Sequence, residues 1–393
     1  MAKSFAYHEH FNEAREIFKF NSLIGNKEQH EDSIFSIIWS YLVNEQYKEA
    51  FKFAQEERID SNKYVGYSKL QFWMAHLYKH FGNTERAKQI YKNIILSSPL
   101  NYYSILSKNE LANLDSSEGK KILATMSLPK GSEFMNIDFT KDGDTKFNLY
   151  KVFKSLKADL YAFNQLEQIP SGDKFFKNNP NNSAANRYYS LISKLNSNHD
   201  YLSSFKIYYR ALNRDILPVN QRLLAMLFPT RYDQFIEKLA DNIDSDVFLS
   251  LIRQESAFNP KAKSRVGARG LMQIMPQTAR QYYKRLPASK LESPSLNIKI
   301  GVKYFKKLIK KYSGNLIYAL AAYNAGEGRV KRWKKSVFKS EDPLLLVESI
   351  PFTETQNYVK LIYRNLFFYK MLSKEKSPFK KIDESFKIDS YGI

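Results

Sequence analysis

The chain has 393 residues, with 61 Lys and Arg against 40 Asp and Glu, a formal net charge of +21 and no cysteine. That length suits two domains or three, and a content of 43% hydrophobic and 15% aromatic residues belongs to a globular protein and excludes a disordered one. The missing cysteine excludes disulfides, thiolate zinc sites and thiol chemistry, while leaving the compartment open.

The basic excess favours an anionic partner: nucleic acid, an anionic membrane surface or an acidic polymer. Lysines spread along the whole chain also fit plain solvated helix faces. No basic segment leading into an apolar run follows Met1, and no stretch reaches membrane-spanning length. The chain therefore reads as soluble without a membrane span, and a mature secreted protein that has lost its leader would read the same way.

In chain order, about the first 230 residues predict amphipathic helices joined by polar turns. "SIFSIIWSYLVNEQYKEAFKFAQEE" sets Ile34, Ile37, Ile38, Tyr41 and Leu42 at helical spacing, breaks at "NEQ", and resumes with Ala50, Phe51 and Ala54. A second hairpin carries Trp73, Leu77 and Phe81, stops at Gly82-Asn83, and continues with Ala87, Ile90 and Tyr91. Residues 186–212 form a third, weaker copy. Repeated hairpins with small residues facing aromatic ones predict a tetratricopeptide-like array. The stretches 113–121, 139–148 and 174–186 are rich in turn residues and read as loops. No strand pattern stands out, so the predicted class is all-α.

"LFPTRY" (227–232) marks a boundary, after which glycines cluster and the repeat stops. The predicted division is an α-superhelical domain over 1–155, a helical linker domain over 156–230, and a compact helical domain with a charged tail over 231–393.

The helix predicted from Asp246, capped by Asp244 or Ser245, carries Phe248, Leu251, Ile252 and Glu255 at i, i+3, i+4 and i+7. Arg253 and Gln254 point elsewhere. The helix ends near "FNP", since Pro260 cannot continue it. Glu255 thus falls on the buried face at a helix C-terminus, where desolvation and the helix dipole both favour the protonated acid. A neutral carboxylic acid is what general acid catalysis needs. A Glu paired with a buried Arg is the structural alternative.

Further along, Gly267 and Gly270 permit tight turns. Gln273 lies between apolar neighbours, Pro276 opens the next helix, and "ALAAYNAGEG" runs a small-residue helix into Tyr323 and Asn324. Glu292 is the next acid after Glu255 and sits in a stretch that reads as a surface loop. His76 and His80 share a helix face but lack the Glu that a zinc protease would add, so no metal or other cofactor is expected.

Taken together, Glu255-Ser256, "GLMQIMP" (270–276), "AYNAG" (322–326) and "IPFTETQNYV" (350–359) resemble the four blocks of the catalytic domain of the soluble lytic transglycosylases. The resemblance implies a lysozyme-like fold behind an N-terminal superhelix, and cleavage of the MurNAc-β-1,4-GlcNAc bond of peptidoglycan without water as nucleophile. It implies that Glu255 protonates the glycosidic oxygen and then deprotonates the C6 hydroxyl that closes a 1,6-anhydro ring. It also implies substrate-binding roles for Ser264, Gln273, Met275, Tyr323, Asn324 and Glu354, with Tyr323 orienting the acid or the N-acetyl group. Glu354 reads equally as a capping residue of its helix, and Tyr358 as core. Gln356 departs from the Arg more common at that position. The implied partners are peptidoglycan glycan strands and other cell-wall enzymes, in the bacterial periplasm. A hydrolytic muramidase of the same fold, a glycan-gripping scaffold without catalysis, and a nucleic-acid binder, for which no recognised module appears, are the competing readings.

Overall fold

A computed structural model describes residues 10–64, 66–118, 121, 134–177 and 182–373; the predicted charged tail from Lys374 onward lies outside them. Every regular element among these residues is helical, and the only β-type pairings are isolated bridges. The chain divides into two compact units, one made of residues 1–122, 234–250 and 301–393, the other of residues 123–233 and 251–300.

In the first unit, α1 (Phe11–Ile24), α2 (Lys27–Leu42), α3 (Tyr47–Glu56), α4 (Ser68–His80), α5 (Thr84–Ser97) and α6 (Tyr102–Leu114) follow one another. α2 starts in a capping box: Asn26 accepts from the Gln29 backbone N–H at 3.0 Å while Gln29 accepts from that of Asn26 at 2.9 Å. The break at "NEQ" falls between α2 and α3 as predicted, and Ile34, Ile37, Ile38, Leu42, Ala50 and Ala54 are core. Phe81 differs from expectation. It lies one residue past the end of α4 and is 40% exposed, because Gly82 in the left-handed region (φ 83°) has already turned the chain.

α12 (Asp233–Ala240), the first half of α13 (Ser245–Ser256), the second part of α15 (Pro294–Lys311), α16 (Leu316–Ala325), α17 (Glu327–Ser336), α18 (Pro343–Glu348) and α19 (Thr353–Ser373) complete this unit. A buried polar cluster ties α18 and α19 to α6. Lys360 Nζ meets Glu348 Oε2 at 2.8 Å and donates to the Tyr103 hydroxyl at 2.9 Å, and that hydroxyl donates to Glu348 Oε1 at 2.8 Å. With both charges buried, removing either partner would strand the other, which makes the cluster a specifier of how these helices pair.

Lys108 on α6 is also fully buried. It donates from Nζ to Pro99 O at 2.6 Å, with the Phe368 ring 5.7 Å away. Burial pushes its pKa down from 10.5 to about 7. Between those two values the unfolded chain binds the proton and the folded chain does not, so this group makes stability rise with pH over that window. Lys108→Met should therefore be more stable than the parent at pH 7, and its advantage should shrink by up to about 3 kcal/mol by pH 9.5. Urea midpoints at the two pH values measure this, and an advantage that does not change with pH would contradict it.

The second unit contains α7 (Lys141–Ser155), α8 (Asp159–Ser171), a 3₁₀ turn (Asp173–Phe175), α9 (Ala184–Ser197), α10 (Tyr201–Leu212) and α11 (Gln221–Leu227). The predicted loop at 139–148 is a correction: Lys141 onward is the first half of α7. Thr140 caps that helix by accepting from the Gly143 N–H at 3.2 Å, and Asp142 and Asp144 lie in its first turn, where the helix dipole favours acids. The turn residues mark a helix start there. Of the other predicted loops, Asn113 and Leu114 end α6, while residues 119–120 and 178–181 lie outside the described residues. The third predicted hairpin is α9 with α10.

Candidate active site

Glu255 is the penultimate residue of α13, whose start is capped by Asp244 accepting from the Asp246 N–H at 3.1 Å. Phe248, Leu251 and Ile252 are fully buried below it, and Glu255 itself is half-buried at the rim of that face. The helix ends because Ala257 (φ 46°) and Phe258 (φ 61°) are both left-handed, a conformation costing about 1–2 kcal/mol per residue without glycine. Burial of the Phe258 ring, 5.6 Å from Tyr201 and stacked 6.4 Å from Tyr232, holds it there. Arg253, read from the sequence only as pointing away, is buried on a different side. It donates from Nε to Leu227 O at 2.7 Å, with its guanidinium 4.3 Å from the Phe205 ring and 4.4 Å from that of Phe228.

Ser256 joins this helix end to the next block by donating from Oγ to Leu271 O at 2.8 Å. That block is two tight turns. In the first, Ser264 N–H donates to Ala268 O at 3.0 Å and Ser264 Oγ accepts from the Ala268 N–H at 3.0 Å. In the second, Arg269 and Ile274 exchange backbone bonds at 3.1 and 3.0 Å, with Gln273 left-handed at φ 44°. The Gln273 amide donates to Gly270 O at 2.9 Å and Ala262 O at 3.1 Å, so it braces its own turn. Leu271, Met272 and Ile274 are core, whereas Met275 is 38% exposed at the start of α14 (Pro276–Arg280).

One feature of this block escaped the sequence reading. Asn297, fully buried, accepts from the Met272 N–H at 2.7 Å and donates to Arg269 O at 2.9 Å and Leu291 O at 2.8 Å. Gly270 (φ 78°) is obligatory twice over, since a Cβ there would lie 2.2 Å from Leu291 O and 2.3 Å from Asn297 Nδ2. Glu292 is not a free loop residue. It ends a 3₁₀ turn (Ala288–Glu292) and pairs with Arg269 at 2.8 Å.

Tyr323, Asn324 and Glu354 belong to the first unit. The half-buried Tyr323 ring lies 5.5 Å from Tyr304 and 5.9 Å from Phe305. Asn324 Oδ1 accepts from the Thr355 hydroxyl at 2.6 Å, tying the end of α16 to the first turn of α19. Glu354 is exposed in that same turn, and Tyr358 is core at 5% exposure. Gln356 is buried and donates to Glu348 O at 2.8 Å. Among the described residues no group of three or more His, Asp or Glu is placed to hold a metal ion, and no helix is long and apolar enough to cross a membrane.

Residues 234–345 match the family model of the transglycosylase SLT domain. The soluble lytic murein transglycosylase of Salmonella typhimurium is 41% identical over 152 residues, covering 36% of this chain and 23% of that protein. A putative soluble lytic murein transglycosylase of Haemophilus influenzae is 31% identical over 238 residues, covering 55% of this chain and 40% of its own length. The chain thus spans well under half the length of these relatives. Among solved structures, an inactive mutant of a lytic transglycosylase from Pseudomonas aeruginosa superposes with a TM-score of 0.67 at 20% identity, covering 99% of this chain and 59% of that one. The 70 kDa soluble lytic transglycosylase of Escherichia coli gives 0.58 at 21% identity over 97% of this chain and 63% of that one. Residues 234–345 thus match the transglycosylase SLT domain, and the all-helical fold is similar to that of these solved lytic transglycosylases.

Proposed function

We propose that the chain is a peptidoglycan lytic transglycosylase that cleaves the MurNAc-β-1,4-GlcNAc bond and leaves 1,6-anhydro-MurNAc ends. The observation that carries this reading is Glu255, a half-buried carboxyl at a helix end, while Glu292, the next acid along, is committed to Arg269. Glycosidases that hydrolyse usually place two carboxylates about the bond. With Glu255 as the only acid assigned to the chemistry, this reading has the substrate supply the nucleophile.

In this mechanism Glu255 gives its proton to the bridging oxygen as the C1–O bond breaks. The N-acetyl group of MurNAc stabilises the cationic C1, and the C6 hydroxyl then attacks C1 while its proton passes to the Glu255 carboxylate. No water is consumed, and the acid ends in its starting state. Holding the C6 hydroxyl against C1 is a positioning effect. The sugar contacts are assigned to Ser264, Gln273, Met275, Asn324 and Glu354, and the orienting role to Tyr323. The setting is the periplasm, where a cationic protein would be drawn to the carboxylates of the polymer, with other cell-wall enzymes as candidate partners.

Mass spectrometry of the soluble products from purified peptidoglycan tests the reading. Anhydro-muropeptides are expected; reducing ends would make the enzyme a hydrolase, and no products would leave a binding scaffold. Tyr323→Phe should lower kcat by about tenfold or more with KM little changed, as expected when a hydroxyl acts in the transition state. An unchanged kcat would remove Tyr323 from the mechanism.

A further inference from the structure

The second unit holds an open cleft of about 550 Å³, well away in sequence from every residue assigned above. One face of α8 contributes Asn164 and Gln168 to it, the 3₁₀ turn contributes Lys174 and Phe175, and the last turn of α10 with the turn that follows contributes Arg210 and Arg214. The charges in the lining do not cancel. Its one acid, Glu167, is already paired with Arg210. Arg214 meets the Tyr188 hydroxyl at 3.2 Å, and Lys174 lies 5.2 Å from the Phe175 ring, so among the described residues neither cation has an acid partner.

Two uncompensated cations beside side-chain amides and a buried aromatic ring form a surface for a ligand with carboxylates, peptide amides and short apolar side chains. The planar guanidinium favours a carboxylate, which it can hold through two parallel hydrogen bonds. Gly172 shapes the floor, since a Cβ there would press on the Phe175 ring at 3.1 Å. We infer that this cleft binds the free carboxylates of short acidic peptides, and that its ligand is the peptide stem carried by the glycan strand. The second half of that statement rests on the proposed activity; the first does not. Such a site would hold a strand by its stems at a distance from the bond being cut.

Calorimetric titration of the full chain tests this, with three probes: a glycan-free stem peptide with free carboxylates, the same peptide amidated, and inorganic phosphate. The free-acid peptide should bind, and both amidation and the double substitution Lys174→Gln/Arg214→Gln should weaken it by about tenfold or more, the loss expected for charge-assisted contacts. Equal binding of the peptide by parent and double variant would overturn the site, and phosphate binding as tightly as the peptide would reduce it to a general anion patch. The same preparations should be assayed on peptide-stripped glycan. A double variant with parental turnover there supports the assignment, because its defect is then confined to stems. A parent that binds the peptide yet cuts no glycan keeps the cleft as a peptide site and sinks the proposed activity.

Discussion

Glu255→Gln should remove anhydro-product formation by roughly 10³-fold or more while leaving the protein folded, the upper range for loss of a group that serves as both acid and base. The amide matches the carboxyl in shape but neither gives nor takes the proton. Stability should not fall. Glu255 sits in the last turn of α13, and the neutral amide carries the same charge there as the protonated acid from which the mechanism starts, so the helix dipole adds no penalty. Turnover assayed beside thermal unfolding separates the two effects. Retained cleavage would mean that some other group does the chemistry, and lost cleavage with a lowered midpoint would mean that the residue is structural.

Asn297→Leu should strongly destabilise the second unit. Its side chain satisfies three backbone groups of the 269–291 segment at 2.7 to 2.9 Å with no exposure to solvent. Leucine fills a similar volume but leaves the Met272 N–H and the Arg269 and Leu291 carbonyls without partners. At about 1–3 kcal/mol per stranded buried group, a loss of roughly 3–6 kcal/mol is expected after relaxation. The turn bearing Gln273 and Met275 should then lose its hydrogen-exchange protection before global unfolding. A midpoint shift equivalent to under about 1 kcal/mol would show that the two turns hold themselves. Gly270→Ala strains the same contact from the other side, through a Cβ overlapping Asn297 and a φ of 78°.

Most of the helical plan was legible because burial follows a period the residues display. Ile34, Ile37, Ile38 and Leu42 are apolar at helical spacing and core in the fold, as are Phe248, Leu251 and Ile252. Punctuation was less legible. "TKDGDTK" reads as a loop from its Gly and Asp, but the same residues suit a capped helix start, and what decides is the Thr140 hydroxyl reaching Gly143 together with the close approach of Gly143 to the Phe175 carbonyl. Local composition does not carry that contact.

What the residues determined by themselves is the all-helical class, the placing of Glu255 at a helix end before Asn259-Pro260, and the need for glycine in the block that follows. Each depends on interactions within a few positions along the chain. Only the tertiary structure decided that Asn297 braces the turn 25 residues before it, that Glu292 is held by Arg269, and that Lys360, Glu348 and Tyr103 form a buried cluster across a separation of up to 257 residues. A buried polar group must find its partners wherever the fold brings them, and sequence separation carries no record of that meeting.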